Sequence, residues 1–290
     1  MSTNWSPGLR NQVSLGSIVL PVQPGSSLSM PRNLTIPQMF SGNNLFQFVH
    51  VEGLQFPVLD LQLFITAPWW LAAAMQLWFT RTDDDVQSAG ALSFWNGVTK
   101  IATTASKVNL LVVGGSLGQI LRCRLVIVGM GDITIAATGT PPLATKLTGA
   151  PATFQHVALG SGLSSTPLDA KAVASFDLTL SNNLDVCPEI NDALFVAGVL
   201  TTLPEQNSGQ LTGSLRLVKQ AKAAPLAEEL SGNSTIAITP PGGTVATITL
   251  MRPVCHDPRE MSVQFPRQLK EYNYTLLGGA TPGDPIMTIA

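Results

Sequence analysis

The stretch VASFDLTLSNNL, residues 173–184, decides the fold. Ala174, Phe176, Leu178 and Leu180 alternate with Ser175, Asp177, Thr179 and Ser181. Alternation with a period of two sends successive side chains to opposite faces of an extended chain. The segment therefore reads as a half-buried β-strand with one apolar face and one face of hydroxyls and a carboxylate.

The same period recurs on both sides of it. Val58–Ile65 sets Leu59, Leu61, Leu63 and Ile65 against Asp60, Gln62 and Phe64, and Leu211–Val218 sets Leu211, Leu215 and Leu217 against Thr212, Ser214 and Arg216. Val108–Val113 is a short apolar run, and Ile120–Val128 follows it as a strand. Gly129-Met130-Gly131-Asp132 has turn composition, and Asp132–Thr138 resumes alternation with Ile133 and Ile135 inward and Asp132 and Thr134 outward, so a hairpin is expected here. Further strands are expected at Ser234–Thr239 and Val245–Leu250, joined through Pro240-Pro241-Gly242-Gly243. One segment breaks the pattern. Thr66-Ala67-Pro68 is a helix start, followed by good helix formers as far as Arg81, and Thr82-Asp83-Asp84-Asp85 closes it. At 13 residues, the apolar part Ala67–Phe79 is too short for a membrane span, which needs roughly 20. The expected fold is mainly β, an antiparallel sandwich or barrel with one flanking α-helix, formed as a single domain over residues 1–290. It has an N-terminal arm of about 30 residues and a long loop over Gly139–Ala170.

Composition narrows the function. Lys and Arg number 16 against 18 Asp and Glu, a net charge of −2, and charged residues make up 12% of the chain where roughly a quarter is usual. There is no basic field to gather nucleic acid and no acidic tail. The first ten residues lack the basic and apolar regions of a signal peptide. Cys123, Cys187 and Cys255 stand far apart and read as buried thiols, without zinc or disulfide spacing. His50, His156 and His256 form no metal-ligand pattern, and Asp83-Asp84-Asp85 reads as a solvated turn. Neither a metal nor a cofactor is expected.

Gly114-Gly115-Ser116-Leu117-Gly118 matches Gly-x-Ser-x-Gly formally. A nucleophile elbow needs a helix after the serine, whereas Ile120–Val128 is a strand, so a glycine-rich connection is expected and not an enzyme. A serine hydrolase using Ser116, with His256-Asp257 completing a triad, is the lesser alternative, and a jelly-roll virus shell protein is another.

The signature Ser-Phe-x-Leu-x-Leu-x-Asn-Asn in residues 175–183 resembles the central strand of tailed-bacteriophage tail tube (major tail) proteins. Ala67–Phe79 is similar to the family's Pro-Trp-Leu helix, and Gly118–Thr138 to its paired strands after a glycine loop. Thr212-Gly213-Ser214 resembles its Thr-Gly-x-Leu strand, and Gly283–Ile289 its C-terminal strand. The resemblance implies a virion protein assembled in the host cytoplasm, with six copies in a ring and rings stacked into a tube for DNA ejection. Its implied partners are other copies of itself, the tape measure protein, the tail terminator and the distal tail proteins, with DNA only in transit and no membrane. On this reading Asp132, Thr134, Ser175, Asp177, Thr179 and Ser181 face the lumen. Ile133, Ile135, Phe176, Leu178 and Leu180 form the core of the inner strands. A lumen that lets DNA slide should avoid Lys and Arg, which makes the side taken by Arg216 a test.

Overall fold

The structure, a computed structural model, describes residues 12–20, 22–30, 32–35, 39–41, 44–46, 51–66, 78–79, 81–82, 85–86, 88–95, 99–136, 150–160, 173–185, 205–206, 211–220, 234–255, 259–260, 269–278 and 285–290. Every strand pairing among them is antiparallel.

The larger sheet is built on one long hairpin. Before it in the chain come β1 (Gln12–Leu15), β2 (Ile18–Leu20), β3 (Ser27–Ser29), β4 (Val58–Leu63) and β5 (Leu92–Trp95). The hairpin itself is β6 (Lys100–Ser116) and β7 (Arg122–Ala136), paired from Lys100 opposite Ala136 to Gly114 opposite Arg122 with two register shifts between. The free edge of β6 is shared. Its first residues, Lys100–Thr103, pair with β5, which leads on to β1 and β2. Its last residues, Leu110–Ser116, pair with the strand Val173–Ser181.

The expected turn at Gly129–Asp132 is not a turn. The strand β7 runs straight through it, and the hairpin reverses at the glycine-rich connection instead, where Gln119 N–H donates to Ser116 O at 3.0 Å. What the glycines at 129–131 provide is a bulge. Met130 faces Ala105 and Ile133 faces Thr103, so Gly131 and Asp132 together oppose Thr104. Gly131 has φ 76°, and a Cβ there would run into the Thr104 hydroxyl. A second bulge, in β6, leaves Asn109 as the extra residue between Val108 and Leu110.

The expected loop over Gly139–Ala170 contains structure where it is described. Ile120 bridges to Thr153, a short 3-10 turn covers Phe154–His156, and β8 (Val157–Leu159) follows. Beyond it lie β9 (Val173–Ser181), β10 (Thr212–Gln220), β11 (Ser234–Ile238), β12 (Ala246–Leu250), β13 (Arg252–Cys255), β14 (Leu269–Leu277) and β15 (Met287–Ile289). β9, β10, β14 and β13 continue the larger sheet, while β8, β11, β12 and β15 form a second one. The turn between β11 and β12 closes with Gly243 N–H donating to Pro240 O at 2.9 Å.

One apolar cluster joins the two sheets. It takes Leu59, Leu61, Leu63, Leu111, Val113, Leu125, Ile127, Phe176, Leu178, Leu180, Leu215 and Leu217 from the larger, and Ile236, Ile238, Ile248 and Leu250 from the smaller. Burying each such side chain contributes about 1.5–3 kcal/mol. The architecture is mainly β with open antiparallel sheets, since neither strand order closes on itself among the described residues.

The helix expected over Ala67–Arg81 falls largely on residues 67–77, outside the described set, and no α-helical element stands among the described residues. Trp78 and Phe79, near its expected end, are buried. Arg81 is not helical: Arg81–Thr82 pairs as a strand with Asp85–Val86. A β-branched residue followed by acids is a poor helix C-terminus, because those charges oppose the helix dipole.

Candidate assembly interface and charged face

Phe176, Leu178 and Leu180 of β9 are buried, and the pleat turns Ser175, Asp177, Thr179 and Ser181 away from the core, each half-buried. Asp177 lies opposite Gly114 on one side and Arg216 on the other, and Gly114 lies opposite Arg122. Arg122 therefore has two strand spacings to cross, about 10 Å, to reach Asp177. It can because Gly114 has no side chain: a Cβ there would strike the Asp177 carboxylate and sit 2.7 Å from Phe176 O.

Across this face the charges alternate. Arg122 Nη2 donates to Asp177 Oδ1 at 2.8 Å, and Arg216 Nη1 lies 3.5 Å from Asp177 Oδ2. Arg216 also forks onto Glu271, Nε to Oε1 at 2.8 Å and Nη2 to Oε2 at 2.9 Å. Nearby, Arg124 forks onto Asp60, Nε to Oδ1 at 2.8 Å and Nη2 to Oδ2 at 2.6 Å. The hydrogen bonds that Arg216 donates to Glu271 raise its guanidinium above the ordinary value, against burial that lowers it, and those to Asp60 do the same for Arg124. Both stay charged, and the row spans five strands from β7 to β14.

Arg216 thus lies on the same face as Asp177, together with Arg122 and Arg124, so the expectation that a lumen face carrying Asp177 avoids arginine fails here and the account of that lumen is weakened. Asp132 and Thr134, also expected to face the lumen, lie elsewhere. Ile133, beside Asp132 and Thr134, pairs with Thr103, whereas Asp177 pairs with Gly114, about 35 Å further along β6 at ~3.3 Å per residue. Thr134 is exposed, and the Asp132 side chain is outside the described set.

Ile133 and Ile135 are not core residues of the subunit: Ile133 is half-buried and Ile135 is 60% exposed. The cause is an open edge. β4 covers β7 only over Cys123–Val128, and beyond the bulge β7 has β6 as its sole partner among the described residues. A cross-strand row of directly opposed residues, Leu20, Val13, Phe94, Ile101 and Ile135, runs from the core to this edge. Leu20, Val13 and Phe94 are buried and Ile101 half-buried, so the row ends on an uncovered isoleucine.

The Asn-Asn of the signature has a structural task. Asn182 is buried, and its Nδ2 donates to Val108 O at 2.7 Å and to Trp78 O at 3.0 Å. Its N–H reaches Asn109 O at 2.8 Å, while Leu184 N–H donates to Asn109 Oδ1 at 2.9 Å. Asn183 takes the left-handed φ of 49° that turns the chain away.

Ser116 ends a strand, and a turn and another strand follow it, which is not the strand-to-helix setting of a nucleophile elbow. His156 is a capping residue whose Nδ1 accepts from Thr153 N–H at 3.0 Å; His50 and His256 lie outside the described residues. Cys123 is buried and its thiol is pushed well above the ordinary range by desolvation, Cys255 is half-buried, and Cys187 lies outside the described residues. Among the described residues no group of three or more His, Cys, Asp or Glu is placed to hold a metal, and no helix is long and apolar enough to cross a membrane.

The fold and its face define a class: a mainly β protein of open antiparallel sheets, low in charge, with a strand edge that is unpaired among the described residues and lies beside an exposed isoleucine. The sequence matches the family described as phage tail tube protein over residues 51–283, and the chain belongs to that family. It is a structural component of the bacteriophage virion. No curated protein matches it. Sequence reading missed Asp60, Arg122, Arg124 and Glu271 as members of the charged face. Alternation of Arg122 and Arg124 with Cys123 and Leu125 was the available signal; their partners depend on register, which the sequence does not display.

Proposed function

We infer that the protein is the tail tube subunit itself, closing with other copies into hexameric rings that stack into a conduit for DNA delivery. Family membership supports the role, and the observation that carries self-association is the open edge of β7 ending on Ile135. An unpaired strand edge without Lys or Pro is a template for another strand, and closing a ring of copies covers it. The hydroxyl and paired-charge face of β9 then lines the lumen with Ser175, Asp177, Thr179 and Ser181. The tape measure protein fills that lumen before DNA does, and the tail terminator and distal tail proteins cap the stack. Assembly takes place in the host cytoplasm.

The test is electron microscopy of the purified protein in negative stain, with Ile135→Lys alongside. Rings or tubes from the wild type and monomers from a folded Ile135→Lys support the reading. Monomers alone from the wild type at high concentration after long incubation would end it.

A further inference from the structure

Of the described arginines on the charged face, each rests on a carboxylate, and the carboxylates lie deeper than the arginines. Side-chain exposure is 67%, 44% and 42% for Arg122, Arg124 and Arg216, against 25%, 35% and 15% for Asp177, Asp60 and Glu271. A polyanion approaching this face meets guanidinium groups first, with their charge cancelled from beneath. The donors are not all spent. Arg122 gives only Nη2 to Asp177, and Arg124 keeps Nη1 outside its fork.

We propose that this face is a low-affinity contact surface for the phosphate backbone of nucleic acid, and that Asp60, Asp177 and Glu271 act as guards that keep its arginines from holding on. The proposal rests on the reading that this face meets DNA in transit. Affinity for a nucleic-acid backbone comes mainly from cations that displace condensed counterions, each adding about 0.9 to the salt slope on duplex DNA. An arginine already neutralised by a carboxylate displaces little, yet its outward N–H groups can still form brief hydrogen bonds with passing phosphates. Such a surface stays wet and polar without becoming a binding site. Removing one guard converts it. Without the Asp177 charge, Arg122 loses its ion pair while Arg216 keeps Glu271, so one phosphate-binding cation appears.

The experiment is fluorescence anisotropy of a labelled duplex with the purified protein across a salt series. Wild type, Asp177→Asn, Asp60→Asn, the double variant Asp177→Asn/Arg122→Gln and Val245→Lys are compared. Val245 is exposed at the turn of the other sheet, so Val245→Lys raises net charge equally without touching this face. Asp177→Asn and Asp60→Asn should each tighten binding roughly fivefold at about 50 mM salt and steepen the salt slope by about 0.9. Adding Arg122→Gln should return Asp177→Asn to wild-type behaviour. The idea is overturned if both guard variants bind as the wild type does, if Val245→Lys gains as much, or if the double variant keeps the gain. Should Asp177→Asn not fold, Asp60→Asn carries the test, because it unmasks Arg124 from a different strand. Failure here leaves the tube reading standing, since that reading falls only if the wild type forms no rings or tubes.

Discussion

Replacing Asn182 by alanine should cost more than any other single polar substitution at the end of β9. The amide reaches two carbonyls, Val108 O at 2.7 Å and Trp78 O at 3.0 Å, that belong to different parts of the chain. Its own Oδ1 is buried without a partner, so the contribution comes from the donor end. Leaving a buried carbonyl unsatisfied costs about 1–3 kcal/mol, so losing both partners in Asn182→Ala is expected to cost about 2–6 kcal/mol. A domain has only about 5–15 kcal/mol in all. Asn182→Asp keeps the shape but sets oxygens against both carbonyls, and should be at least as damaging. Asn183→Gly is the comparison: glycine takes φ 49° readily, and the hydrogen bonds it loses, to Thr212 and from Ser181, are exposed or half-buried, so the change should cost less than Asn182→Ala. The assay is guanidinium unfolding followed by tryptophan fluorescence, Trp78 being buried, with circular dichroism as a second probe. Two protein concentrations separate subunit stability from association. A loss below about 0.5 kcal/mol for Asn182→Ala, or an Asn182→Asp protein as stable as the wild type, would refute the assigned role.

Three further outcomes are expected. Leu178→Asp should abolish folding, since the side chain is fully buried and the site offers a carboxylate no water; soluble protein with native circular dichroism would contradict this. Gly114→Ala should lose about 1–3 kcal/mol in thermal or chemical melts, because the new methyl meets Phe176 O and displaces Asp177 from Arg122; an unchanged melt would mean the strands yield freely. In a Cys187→Ser/Cys255→Ser protein, Cys123 should resist a thiol reagent until denaturant is added, because the reactive thiolate is suppressed by burial, and rapid labelling of the folded protein would show that the core opens.

The fold was legible wherever one face of a strand is buried. Phe176, Leu178 and Leu180, the leucines of Val58–Leu63, and Leu215 with Leu217 all fill the core that their alternation marks. Legibility failed where the pleat is interrupted. Gly129, Gly131 and Asp132 are turn residues by composition, yet here they supply a bulge inside a 15-residue strand, because pairing on both sides, Met130 with Ala105 and Ile133 with Thr103, carries the strand through. The alternation of Ile133 and Ile135 then signalled a buried face that the isolated subunit does not provide. Periodicity distinguishes the two faces of a strand, not whether either is covered. Lys107 is a harder case: it is fully buried in the hairpin, and nothing in its neighbours' pattern sets it apart from a solvated lysine. The charged face was half legible, since the side taken by Asp177 and Arg216 follows from alternation but their partners follow from register alone.

The scarcity of charge and the way charge is used belong to one design requirement. A chain with 12% charged residues and a net charge of −2 has little to keep copies apart, and Ile135 beside the β7 edge is exposed, which suits the proposed self-association. The proposed role as a conduit for a polyanion adds a second condition. Its wall must stay hydrated, which excludes a purely apolar lining, and it must not accumulate cations that hold phosphate. Hydroxyls on β9 meet the first condition at no electrostatic cost. The arginines of β7 and β10 satisfy the second only through their carboxylates, and the geometry needed is narrow: Arg122 reaches Asp177 because position 114 is glycine. A side chain at Gly114 would therefore do more than strain the sheet; by parting Arg122 from Asp177 it would turn the same arginine into a phosphate anchor. Gly114→Ala protein that remains folded should accordingly gain DNA affinity with the steeper salt dependence of Asp177→Asn, although its net charge is unchanged. Tighter binding without any added charge is an outcome that a net-charge account cannot produce.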